Sequence, residues 1–409
     1  MTTKKKGSGF AALQRMGRSL MLPIATLPAA GLLLRLGQAD VLGADGLSKH
    51  LSWMQPVADV LAAAGGAVFD NLPLIFAVGV AVGFAKKSDG STAVAGLFGF
   101  LVFKGVLDAL AKFWGAPAGP DAKINYGVLG GIIIGITAAL LWQRFYRIKL
   151  PDWLAFFGGR RFVPIITSGA AVLIATVMGA IYPAFNWLIN EKFGGWLMHA
   201  GAHGGIGGSV AYFVYGVVNR LLIPFGLHHL WNSLPWFQLG NCQSLTKQGE
   251  TLHGDLTCFF QGTPETNAWT GNFMTGFFPI MMFALPAAAL AMWRSAYPAK
   301  KKATGALMIS VALTAFLTGV TEPLEYAFAY VAFPLYVVHA ILTGTALVVV
   351  NALGIKDGFS FSAGFIDYVI NFGKSADLSG GVFQGPIMLV IVGLIYAVIY
   401  YFLFSFLIK

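Results

Sequence analysis

Gly319-Val-Thr-Glu-Pro-Leu-Glu325 closes an apolar run, Ala306 to Gly319, that belongs in a lipid bilayer, and it sets two carboxylates and a proline there. An ionisable group at membrane depth costs several kcal/mol, so Glu322 is expected to face a bundle interior or a water-filled cavity rather than lipid. Pro323 is expected to break the helix. The freed backbone groups cannot be satisfied by lipid but can line a substrate cavity. Glu325, a fraction of a turn away, lies on another side of the segment and is expected to matter less.

Working outward, the composition is that of an all-α polytopic membrane protein. The 409 residues are 57% hydrophobic and only 11% charged, with a mean hydropathy of +0.71, which excludes an ordinary soluble domain. Full or partial spans are read near Leu20–Leu36, Val57–Ala85, Ala93–Leu110, Val128–Trp142, Phe162–Trp187, Gly207–Leu227, Phe273–Trp293, Ala306–Thr321, Tyr326–Leu353 and Pro386–Leu407. That amounts to about ten transmembrane helices with re-entrant hairpins. The first run follows a long amphipathic lead-in without a small-residue cleavage site, so it is not read as a cleavable signal peptide.

A net charge of +10 raises the possibility of nucleic acid, but the distribution argues against it. Of 27 Lys and Arg, 17 fall in Lys4–Arg18, Lys86-Lys87, Arg144–Arg161, Arg294–Lys302 and Lys409. This positive-inside pattern places both termini and these loops in the cytoplasm. Arg144–Arg161 interleaves its basic residues with Phe145, Tyr146, Trp153, Phe156 and Phe157. It reads as an interfacial amphipathic segment on anionic headgroups, the alternative being a basic loop with aromatic anchors.

That orientation leaves a parity problem. Something between Leu227 and Phe273 must cross or fold back, and Ala306–Glu325 starts beside Lys300-Lys301-Lys302 yet is too short for a full span of roughly 20 residues. Both are expected to be discontinuous or re-entrant, as at transporter substrate sites. The first polar motif, which runs into this region, is Asn219-Arg-Leu-Leu-Ile-Pro-Phe-Gly-Leu-His-His-Leu-Trp-Asn232. Helical geometry would stack Arg220 and His228 on one face, with Pro224 and Gly226 distorting the arrangement. His228 and His229 would point to different sides of a helix, and no Cys or acidic ligand lies at a metal-site spacing, so no metal is expected. The polar stretch Gly240–Asn272 follows, with His253-Gly-Asp255. Cys242 and Cys258 within it pair if the stretch faces outside; neither has a context that advertises reactivity, and both are read as non-catalytic.

These residues carry a resemblance. Gly17-Arg-Ser-Leu-Met-Leu-Pro23, Asn71-Leu-Pro-Leu-Ile-Phe-Ala77, Lys149-Leu-Pro151 with Gly159-Arg-Arg-Phe-Val-Pro164, Phe225-Gly-Leu-His-His229, His253-Gly-Asp255, Leu317-Thr-Gly-Val-Thr-Glu-Pro323 and Phe359-Ser-Phe-Ser-Ala-Gly364 stand in family order. Over essentially its whole length the chain resembles the membrane-embedded IIC component of the glucose superfamily of bacterial sugar phosphotransferase systems. Residues 1–409 are expected to form a single membrane domain with no IIA or IIB domain, whereas full-length relatives carry IIB after it, so the donor is expected on a separate protein or on a part outside this sequence. The resemblance implies a homodimer in the bacterial inner membrane. It also implies sugar transport by alternating access, coupled to 6-phosphorylation by a phosphocysteine on a IIB protein, with no cofactor. Neither cysteine stands in the Cys-x-Thr-Arg setting of that donor. By the same resemblance His228 and Glu322 hold the hydroxyl to be phosphorylated, while Arg220 and Asp255 help to bind the ring.

Leu34-Arg-Leu-Gly-Gln38, Trp236-Phe-Gln238, Gly276-Phe-Phe-Pro-Ile-Met-Met-Phe283 and Ser360–Gly364 resemble the N-acetylglucosamine subgroup. Pro224–Asn232 and Gln143-Arg-Phe-Tyr-Arg147 resemble the glucose one. N-acetylglucosamine is favoured. Gln38 is a candidate contact to the acetamido group or ring hydroxyls, or else a helix-end residue; His229 is a further candidate ring contact or a structural residue. An ion-coupled secondary transporter using Glu322 as a proton relay is the alternative from another class.

Overall fold

The computed structural model describes the chain except for residues 1–14, 16–18, 21–22, 24–26, 40, 45, 117–121, 195–205, 226–227, 245–250, 263–268, 330–331, 361 and 409. The basic N-terminal region, apart from Arg15, most of the start of the Leu20–Leu36 run, Gly226 and Lys409 therefore lie outside the described residues. Helices α1 to α15 span Leu27–Leu36, Gln55–Asp70, Leu72–Phe84, Gly90–Trp114, Gly127–Phe145, Phe162–Phe185, Ile206–Leu222, His228–Phe237, Asp255–Gln261, Leu285–Ser295, Lys301–Thr318, Glu322–Ala329, Phe333–Ala352, Phe365–Ser379 and Met388–Ile408. Strands β1 (Asn241–Gln243) and β2 (Thr251–His253) form one antiparallel hairpin.

Among the described residues six helices are long and apolar enough to cross a membrane, or seven if the bent pair Ser52–Asp70 and Leu72–Phe84 counts as one span. Fewer than ten qualify because several apolar runs are interrupted. The Val57–Ala85 run breaks at Asn71, and Tyr326–Leu353 is split where α12 ends at Ala329 and α13 begins at Phe333. Pro334 stands in the first turn of α13, where its missing N–H costs nothing. Phe273–Trp293 opens as a turn and a π-helical stretch, Pro279–Ala284, before α10. Conversely, α11 recruits Lys301 and Lys302 and so reaches 18 residues, about 27 Å.

The chain divides into two compact units. The first contains Ala67–Gly195 and Phe225–Ser233 together with the residues up to Leu27. In it α4 packs on α6 and α3 on α5, around Ala77, Phe103, Leu107, Ile134, Ala171 and Tyr182. The α3–α5 approach runs along Gly131 and Gly135: a Cβ on Gly135 would lie 2.7 Å from the Ala77 carbonyl oxygen. Lipid gives helices no hydrophobic reason to associate, so such close backbone contact supplies the attraction. After α5, the 3₁₀ segment Asp152–Phe157 leaves Trp153 80% exposed and Phe156 69% exposed, with the Arg161 guanidinium 4.6 Å from the Phe156 ring centroid. The Arg144–Arg161 segment thus presents exposed aromatics beside basic residues on 3₁₀ turns.

Asp89 caps α4. Its carboxylate accepts from the Ser91 N–H at 2.9 Å, and its own N–H donates to Thr92 Oγ1 at 3.2 Å; Arg160 stands 2.8 Å away. The Ser91 hydroxyl, ahead of the Ser91 backbone N–H and Arg160, holds the carboxyl below its ordinary 3.8 against the opposing effect of burial. Removing such a cap costs about 1 kcal/mol. Because the folded value is depressed, the stabilisation is complete above pH 3.8 and is lost as pH falls through the lowered value. Asp89→Ala is therefore expected to melt below wild type at neutral pH, with the gap closing only in acid below 3.8, as read by thermal shift in detergent.

The second unit comprises Pro28–Gly66, Trp196–Pro224 and Leu234–Lys409. Here α7 packs on α13, α15 on α10 and on the π-helical stretch, and α10 on α11. Contact between α7 and α13 is made through glycines: a Cβ on Gly216 would lie 2.9 Å from the Gly344 Cα, and one on Gly344 would lie 2.7 Å from the Phe213 carbonyl oxygen. A disulfide joins Cys242 of β1 to Cys258 of α9, with Cα atoms 5.8 Å apart. The described residues of Gly240–Asn272 thus include a hairpin and a short helix tied to each other covalently.

Candidate functional site

The break before Glu322 is made by Gly319. It sits in the left-handed region at φ 71°, where an L side chain is strained, and its N–H closes the end of α11 onto the Ala315 carbonyl at 2.9 Å. Ser362 Oγ donates to the Gly319 carbonyl at 2.8 Å. The Thr321 carbonyl accepts from the N–H groups of Leu324 and Glu325 at 3.0 and 2.9 Å, starting α12 with Glu322 and Pro323 as its first residues. Sequence reasoning placed the break correctly and assigned it to the wrong residue. Pro323 opens the second helix, since its ring suits a first turn and its missing N–H would have had no partner there. Both carboxylates stand in that first turn, where the helix dipole favours negative charge.

Glu325 is fully enclosed. Arg220, at the end of α7 and 1% exposed, places Nη1 2.8 Å from its Oε1, and His339 Nε2 lies 3.6 Å from the same oxygen. The guanidinium lies 4.8 Å from the Phe277 ring centroid, and the Arg220 carbonyl accepts from the Tyr336 hydroxyl. His339 Nδ1 is 2.8 Å from the Tyr400 hydroxyl. A buried ion pair is tolerable in such a setting because each charge is met by the other. Arg220 keeps Nε and Nη2 without a hydrogen-bond partner in this network.

Asp255 opens α9 after Gly254, which has φ 88°. Its oxygens accept from the N–H groups of Gly271 and Phe273 at 2.5 and 2.8 Å. The carboxylate therefore shapes the turn carrying Asn272, whose Nδ2 donates to the Tyr212 hydroxyl at 2.5 Å and whose Oδ1 accepts from Lys356. Gln38, just past α1, accepts at Oε1 from Arg35 Nη1 at 2.9 Å and Lys374 Nζ at 3.3 Å, and donates from Nε2 to the Phe260 carbonyl.

His228 and His229 belong to the first unit, as the opening residues of α8. Their ring centroids lie 3.8 Å apart, so they do not point to different sides as expected. Side chains lean towards a helix's N-terminus, and rings on the first two residues converge there. The anticipated stacking of Arg220 and His228 on one helix face does not form either: α7 ends at Leu222, a 3₁₀ turn holds Pro224, and His228 starts a new helix. Within the second unit Arg220 joins Glu325 rather than Asp255, and Glu322 stands at the head of the same helix as Glu325. Sequence reasoning missed His339, Tyr336 and Tyr400. A lone imidazole inside the α13 run was the available signal.

A model of the family described as Phosphotransferase system, EIIC matches residues 17–344. This chain belongs to the phosphotransferase-system EIIC family. Relatives agree: the chain is 47% identical over 408 residues to the PTS system N-acetylglucosamine-specific EIIC component of Streptomyces coelicolor, covering 98% of this chain and 92% of that one. It is 45% identical over 397 residues to the PTS system N-acetylglucosamine-specific EIICB component of Bacillus subtilis, covering 97% and 76%. The fold matches the crystal structure of the transporter ChbC, the IIC component of the N,N'-diacetylchitobiose-specific phosphotransferase system, at a TM-score of 0.60 and 16% identity, over 99% of this chain and 95% of that one. The protein is thus an EIIC sugar-transport component with several membrane-crossing helices.

Proposed function

We propose that this EIIC carries N-acetylglucosamine across the bacterial cytoplasmic membrane, both termini cytoplasmic, while a IIB phosphocysteine phosphorylates its 6-hydroxyl. The observation that carries the reading is the break at Gly319–Thr321, which sets Glu322 at the head of an eight-residue helix whose Glu325 pairs with an arginine that has N–H groups to spare. The choice of sugar rests on the N-acetylglucosamine relatives, with glucose as the second reading on the glucose-like stretches Pro224–Asn232 and Gln143–Arg147.

In this reading the hydroxyl oxygen attacks the phosphorus of the donor, the S–P bond breaks to leave a thiolate, and the hydroxyl proton passes to a base. Glu322 supplies a carboxylate for that proton and orients the hydroxyl, with His228 as its imidazole partner, as the family resemblance implies. Arg220 turns its Nε and Nη2 to the ring. Asp255 and Gln38, whose polar atoms are engaged within the protein, act through the loops they hold, and His229 completes the ring contacts. Both cysteines are consumed in the disulfide, so the phosphodonor thiol comes from IIB. About ten membrane helices with re-entrant hairpins, a homodimer and alternating access complete the proposal.

The test supplies membranes carrying the chain with the general phosphotransferase proteins and phosphoenolpyruvate, with and without IIB, and offers both sugars. N-acetylglucosamine phosphate is expected only with IIB. Binding by calorimetry should favour N-acetylglucosamine by roughly tenfold or more, because a site built to bond an acetamido group is left with unpaired polar atoms by glucose. Equal or tighter glucose binding transfers the assignment to glucose, sugar phosphate without IIB overturns the donor, and uptake driven by an ion gradient instead of phosphoenolpyruvate returns the secondary transporter.

A further inference from the structure

Helix α12 has eight residues, too few to hold itself in place by backbone bonding alone. Its position must come from what its side chains grip. Towards its end, Phe328 packs on Tyr336, His339 and Phe404 with centroids 5.8, 5.6 and 5.2 Å apart. In its first turn Glu325 is a side-chain anchor, and this single carboxylate reaches two helices: α7 through Arg220 and α13 through His339. Each partner is itself braced. Arg220 rests on Phe277 and is held at its carbonyl by Tyr336, and His339 is held by Tyr400 of α15. Glu322 stands three residues earlier, in the same turn.

We propose that Glu325 is a positioning residue whose ion pair with Arg220, seated against His339, fixes the first turn of α12 and with it the carboxylate of Glu322. Glu325, expected from the sequence to matter less than Glu322, is in this proposal the residue on whose grip the placement of Glu322 depends. The inference rests on Glu322 as a sugar ligand.

The experiment is a binding cycle on the full chain in lipid nanodiscs: wild type, Glu322→Gln, Glu325→Gln and the double variant, titrated with N-acetylglucosamine by calorimetry. Each single change is expected to weaken binding about tenfold or more. The double variant should lose no more than about twofold beyond Glu322→Gln, because residues acting as one do not add. Losses that multiply, or wild-type binding by Glu325→Gln beside a weakened Glu322→Gln, overturn the positioning role alone. Wild-type binding by Glu322→Gln instead removes the reading of Glu322 on which it rests. Should Glu325→Gln fail to run as a single species, Glu325→Asp replaces it; this keeps the charge with a carboxylate one methylene back. It is expected to bind about threefold more weakly, again only where Glu322 is intact, and wild-type binding by it overturns the proposal.

Discussion

Glu322→Gln is expected to leave almost no sugar phosphorylation in a protein that still elutes and melts like wild type. The isosteric amide keeps the volume at the head of α12 but cannot accept the hydroxyl proton, and losing a general base costs typically 10²–10⁴-fold. Exchanging a charge-assisted hydrogen bond to the hydroxyl for a neutral one removes on the order of 1.5–3 kcal/mol of binding besides. The measurement is phosphotransfer from IIB in membranes beside size-exclusion and thermal-shift profiles of the purified variant. Wild-type turnover in a well-behaved variant would remove Glu322 from the chemistry altogether. The outcome is specific to the charge, since the ion pair one turn on is untouched.

Gly319→Val is expected to do comparable damage without altering any charged group. At φ 71° an L residue costs about 1–2 kcal/mol, and a β-branched one more. The added Cβ would also lie 2.6 Å from Ser362 Oγ and 2.9 Å from the Ala363 nitrogen, an overpacking that costs about 1–3 kcal/mol. Relief requires moving Ser362 or re-aiming α12, and the latter displaces Glu322. A fall in melting temperature together with loss of sugar binding is the expected result, while Val320→Ala, next door and free of positive φ, should change both only slightly. A Gly319→Val protein that melts and transports as wild type would show that the left-handed cap is dispensable.

Much of this architecture was legible because apolar length is written directly into the sequence: the runs at Ala93–Leu110, Val128–Trp142 and Phe162–Trp187 became α4, α5 and α6. Breaks inside long runs were harder. Tyr326–Leu353 reads as one apolar stretch, yet α12 ends at Ala329 and α13 starts at Phe333. The Glu322 break was found from the cost of a carboxylate in lipid, but the agent was misread because a proline announces itself in sequence and a positive φ does not. Partnership was the least legible property. Arg220 and Glu325 lie 105 residues apart, and no local periodicity relates an α7 guanidinium to an α12 carboxylate. Asp255 enters as a ring ligand only through the family resemblance, and no local pattern announces that its oxygens accept from the backbone N–H groups of Gly271 and Phe273.

The glycine contact between α7 and α13 bears on where this molecule holds longest. Helices that meet backbone to backbone leave no room between them for lipid or water, and few side chains there have rotamers to regain on separation. Local opening follows the weakest contacts, so such a pair belongs to the last part of a fold to come apart. Arg220 hangs from one member and His339 from the other. The guanidinium and the imidazole therefore keep their spacing through fluctuations that would loosen an eight-residue helix on its own, and α12 can come adrift and return to an unchanged pair of hands.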